Sequence, residues 1–151
     1  MKRNGHLGIV LSAAAVALEL LPWGAVCVFA GAPDSAESYI RVRYSYFDPL
    51  PFGYANFAPL ITAVTSVVIL VMWMLGIVFE ARKRYFRAVL AISIFAFLTS
   101  LAPALLGFRY CTVVGFLIAA VRFVSLIPAL GFSEVGGDPS SDSVGMLGAS
   151  E

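Results

Sequence analysis

Four long apolar runs, approximately residues 7–30, 54–79, 88–108 and 112–130, fill most of this chain. The hydrocarbon core of a bilayer is about 30 Å thick, so a spanning helix needs about 20 mostly apolar residues. Each run is close to that length or longer. A hydrophobic share of 60% also exceeds the roughly half-apolar make-up of soluble domains. The expectation is therefore an all-α polytopic membrane protein, with four transmembrane helices in an antiparallel bundle spanning residues 1–130.

The segments between and after the runs are short. Residues 31–53 form the longest loop and residues 131–151 a tail, and neither has the apolar content to build a soluble core. The tail is rich in Gly, Ser and Asp and lacks basic residues, which reads as a disordered cytoplasmic extension. A net charge of +1 gives no concentrated basic face of the kind a nucleic-acid partner requires. The basic residues are unevenly placed, however. Lys2, Arg3, Arg82, Lys83, Arg84 and Arg87 flank one side of the runs, and Arg41, Arg43 and Arg109 the other. The positive-inside rule then places both termini and residues 80–87 in the cytoplasm, in a multi-pass plasma-membrane protein. The first run is expected to be retained rather than cleaved as a leader. It is longer than a signal-peptide core, it contains Glu19 and Pro22, and Pro33 would follow the scissile bond.

The loop at 31–53 opens on turn formers, Gly31-Ala32-Pro33-Asp34-Ser35. From Tyr39 to Phe47 the alternation of Ile40, Val42, Tyr44 and Tyr46 with Arg41, Arg43 and Ser45 has strand character. A lone strand leaves backbone groups unpaired, so a short hairpin and a segment lying in the interface are both open. Asn56 can cap the second run, with Pro59 tolerated in the first turn. Tyr44, Tyr46, Phe47, Phe52, Tyr54 and Phe57 form an aromatic belt suited to headgroup depth. That belt reads either as an anchor or as a recognition surface over the bundle. Arg82, Lys83, Arg84 and Arg87 lie in a short basic turn between the second and third runs, facing anionic inner-leaflet lipid.

Two ionisable residues fall inside runs, and their charges are opposite. Glu19 lies near the middle of the first and Arg122 near the middle of the fourth. A charge at the centre of a membrane helix costs about 2.5–3.5 kcal/mol, so such residues pair or face a cavity. Gly8, Ser12, Ala15 and Glu19 recur at helical spacing as one small-residue face, as do Cys111, Gly115, Ala119 and Arg122. Small faces let membrane helices approach closely. Glu19 and Arg122 are therefore expected to form a buried ion pair, serving either to fix helix register or to couple to a substrate. Cys27 and Cys111 fall near the same ends of the same two runs, offset from the charges by about 12 and 16 Å along a helix. They can be a disulfide or two separate thiols.

Catalytic and cofactor chemistry finds no foothold. The one histidine, His6, has no neighbouring ligand set, so no metal site is expected. The sequence also lacks a Gly-rich phosphate loop, a Gly-x-Ser-x-Gly elbow and a Cys-x-x-Cys. No cofactor is expected. Ser93, Thr99 and Ser100 should bond to their own helix backbone, and Asp48, beside the aromatic belt, reads either as a turn former or as an acid serving a site there.

The stretch from Tyr44 to Phe57, followed by Pro59 and an apolar run, resembles segments of uncharacterised small membrane proteins of Gram-positive bacteria. The resemblance implies a plasma-membrane location and no activity. A four-span chain with a glutamate in its first helix is also similar to the small multidrug resistance transporters. There the carboxylate exchanges protons for cationic substrate, and Glu19 would be its match. Two features depart from that family: the long aromatic loop, and Arg122 as a neutralising partner. The leading expectation is a non-enzymatic accessory or partner-binding module that works with a membrane-protein partner or a second copy of itself. The alternative is a small proton-coupled transporter using Glu19.

Overall fold

In the computed structural model, residues 2–30, 39–49, 57–79, 81, 83–107 and 111–134 are described. The elements run α1 (Lys2–Glu19), β1 (Ala25–Ala30), β2 (Tyr39–Tyr44), α2 (Ala58–Val78), α3 (Lys83–Leu106) and α4 (Val113–Glu134). The helices pack in a ring, with α1 against α2 and α4, and α3 against the same two. Neighbours are antiparallel. Gly5 of α1 lies against Ile77 of α2 and Phe132 of α4, whereas Glu19 meets Ser66 and Arg122. Lys2 and Glu134 thus lie toward one end of the bundle, called here the terminal end, and the strands at the opposite, hairpin end.

Three helices, α2, α3 and α4, are long and apolar enough to cross a membrane. Their outward faces carry exposed Val64, Val67, Val71, Phe95, Leu98, Phe116, Leu117 and Phe123. Contiguous apolar surface of this extent is foreign to soluble monomers and suits lipid. Pro59 sits in the first turn of α2, where its missing N–H deprives no carbonyl. The cap itself is Phe57, with no side-chain bond; Asn56 lies outside the described residues.

The first run departs from the expectation of one spanning helix over 7–30. α1 ends at Glu19, and the run continues as a turn and then as β1. Pro22 is the cause. It cannot donate to the Leu18 carbonyl, and it disfavours helix at Leu21. The chain tightens there, with Leu21 N–H on Leu18 O and Gly24 N–H on Leu21 O. Beyond it, Ala25–Ala30 pairs antiparallel with Tyr39–Tyr44, from Ala25↔Tyr44 to Ala30↔Tyr39. The chain is mostly helical but not all-α, and the lone strand has found its partner inside the apolar run. Glu19 consequently stands at the last turn of a helix rather than at mid-span.

Smaller differences follow. α3 begins at Lys83, so Lys83, Arg84 and Arg87 belong to its first turns rather than to a loop; Arg82 is outside the described residues. α4 extends to Glu134, past the expected end at 130, and the rest of the tail is outside the described residues.

Candidate functional site

At the terminal end, Trp73 of α2, Phe86 of α3 and Phe132 of α4 form one aromatic cluster. Phe86 and Phe132 stack at 4.5 Å, and Trp73 meets them at 5.5 and 5.7 Å. Gly8 lets α1 join this cluster, because a Cβ there would lie 2.5 Å from the indole. The cluster is apolar packing. Chemistry-bearing side chains gather further toward the hairpin end.

There Glu19 and Arg122, both fully buried, form an ion pair of 3.1 Å between Oε1 and Nη2. Ser66 Oγ donates to the same carboxylate oxygen at 2.6 Å. Three helices therefore meet on one atom. Removing both charges from water is expensive, and only mutual attraction with added hydrogen bonds offsets it. The position of Arg122 at the end of α1 adds to this, since a helix C-terminus favours a cation. The small face foreseen on α1 is indeed buried at Gly8, Ser12, Ala15 and Glu19.

Ser66 and Arg122 lie eight and nine residues from the starts of their helices at Ala58 and Val113. At 1.5 Å per residue the pair is about 12–14 Å inside those ends. α1 stops short of them, and two irregular segments fill the space it leaves. Residues 20–24 pass beside α4, where Thr112 Oγ1 donates to Gly24 O at 3.0 Å and accepts from Gly115 N–H at 2.8 Å, capping α4. The segment after β2 folds inward as a turn held by Asp48, whose Oδ2 accepts Ser45 N–H at 2.7 Å. That turn drives Tyr46 into the bundle, where it is 2% exposed and packs with Ala25, Ala63 and Ile118.

The aromatic belt thus divides. Tyr46 is core rather than surface, Tyr44 and Phe47 are half-buried, and Phe57 is 56% exposed. Phe52 and Tyr54 are outside the described residues. Cys27 is buried in β1 and Cys111 is half-buried before α4, with no disulfide between them. Burial pushes the Cys111 thiol up. Ser93, Thr99 and Ser100 bond to the carbonyls of Val89, Ala96 and Phe97. No metal-binding cluster occurs among the described residues.

Sequence reasoning passed over Ser66 and placed Tyr46 in the interfacial belt rather than in the core. Ser66 had a signal: Thr62 and Ser66, one turn apart, are polar within the apolar second run and are both fully buried. Thr62 reaches Thr99 of α3 at 3.0 Å, extending the polar seam to a fourth helix. For Tyr46 the aromatic context pointed the other way. No family model, curated protein or solved structure matches this chain.

Proposed function

We propose that this chain is a four-span protein of a bacterial plasma membrane, with both termini cytoplasmic, and that it acts as a non-enzymatic accessory or partner-binding module. The fourth crossing would be made by α1 completed by residues 20–24 and the Tyr46 turn. The observation that carries the reading is the engagement of Glu19, held by Arg122 and Ser66 with no exposed surface. A carrier's carboxylate must meet solvent and substrate in turn. Here it is a structural tie between three helices, and what the protein offers outward is the hairpin. On β2, Tyr39, Ile40, Arg41 and Arg43 are all exposed.

Proteoliposomes loaded with a pH-sensitive dye test the reading against proton-coupled transport. Hydrophobic cations should release no protons through the wild-type chain. Release that is lost in Glu19→Gln would overturn the module and establish the carrier. A reporter fused after Glu151 tests the orientation and should be active only if it folds in the cytoplasm.

A further inference from the structure

Both bonds to the Glu19 carboxylate fall on Oε1. Glu19 Oε2, Arg122 Nε and Arg122 Nη1 are buried and have no hydrogen-bond partner among the described residues. An unmet buried polar group costs about 1–3 kcal/mol, and more when charged. Surrounding lipid can supply no partner. The complement of these atoms is specific. Oε2 calls for a donor, while Nε–H and Nη1–H call for acceptors. A cation would be opposed by Arg122 and an anion by Glu19, and the pair together is neutral. The matching ligand is a small neutral molecule that both donates and accepts.

A second observation sets its size and route. At the hairpin end, a cleft of about 20 Å³ is lined by Gly24, Tyr46, Ser100, Cys111, Thr112 and Ala119, among others. A water molecule needs about 10–15 Å³ measured this way, so the cleft admits water and excludes organic solutes. Two of its lining residues are neighbours of the ion pair. Tyr46 is bonded through its N–H to the Glu19 carbonyl. Ala119 lies three residues from Arg122 on α4, about one turn toward the hairpin end.

We propose that the Glu19–Arg122 centre is a hydration site. Ordered water, admitted through the cleft beside Tyr46 and Ala119, donates to Glu19 Oε2 and accepts from Arg122 Nε–H and, on the opposite side of the guanidinium, from Nη1–H. Water in this position completes the hydrogen bonding of the pair without opening it to any larger solute. The inference is independent of the proposed module, since a dry pair would be equally closed to substrate.

Radiolytic footprinting of the full chain in lipid nanodiscs tests it, because hydroxyl radicals formed from bound water oxidise the side chains beside that water. After correction for intrinsic reactivity, Arg122 and Tyr46 should be oxidised several-fold faster than Ile69 and Val89, which are equally buried among apolar neighbours. Labelling of Arg122 no faster than Ile69 would overturn the hydration site. Ala119→Leu should fill the cleft floor and bring Arg122 labelling down toward the Ile69 rate; unchanged labelling in the folded variant would overturn the route. Should Ala119→Leu fail to fold, Ala119→Val serves instead: it should lower Arg122 labelling by a smaller factor, and unchanged labelling would overturn the cleft as the entry.

Discussion

The backbone N–H of Tyr46 donates to the carbonyl oxygen of Glu19 at 2.9 Å. A helix leaves its last carbonyls unsatisfied, and here one of them is met by the segment that returns from the hairpin. The same contact places the Tyr46 ring beneath the hairpin, in the gap left where α1 stops. Through Tyr46 the far strand of the hairpin is attached to the helix end that carries the ion pair.

Tyr46 should therefore behave as a core residue. Truncating a large buried aromatic side chain typically costs about 3–5 kcal/mol, and Tyr46→Ala should lower the unfolding temperature in detergent accordingly. Phe57→Ala, at a position 56% exposed, should shift it little. Equal small shifts at both positions would return Tyr46 to the surface belt.

How much of this was legible in the sequence depends on the signal each element carries. The three long helices were readable because about 20 apolar residues admit few other structures. Their boundaries shifted by a few residues, as at Lys83, where a basic helix turn looks like a loop. The first run misled because its middle is apolar whether helical or extended. Val26, Cys27, Val28 and Phe29 suit a strand as well as a helix, and periodicity cannot separate the two in a short run. Pro22-Trp23-Gly24 was the break, and the apolar length on either side outweighed it. Glu19 and Arg122 stood out because charge in an apolar run is costly, whereas the contribution of Tyr46 depended on a turn that only the fold displays.

The terminal end offers a separate test. A Cβ at Gly8 would lie 2.5 Å from the Trp73 indole, closer than packed atoms approach, and overpacking of this kind costs about 1–3 kcal/mol. Gly8→Ala should lower the unfolding temperature in detergent. Trp73→Leu removes the obstructing ring, so the alanine should cost much less in that background. Additive losses would indicate that α1 does not rest on Trp73.

The ion pair offers the sharpest measurement, because the sign of its coupling is set by the environment. Removing one partner of a buried pair leaves an uncompensated charge and costs about 3–5 kcal/mol, whereas removing both can be nearly neutral. Glu19→Gln and Arg122→Gln should each lower thermal stability in detergent, and the double variant should recover much of the loss. Ser66→Ala should cost less than either, about 1.5–3 kcal/mol for one hydrogen bond to a charged group. Its effect should shrink in a Glu19→Gln background, since Ser66 bonds the same oxygen as Arg122. Strict additivity across the set would mean that the three side chains do not share an atom. Glu19 would then be free to titrate, and the case for a carrier over a module would be restored.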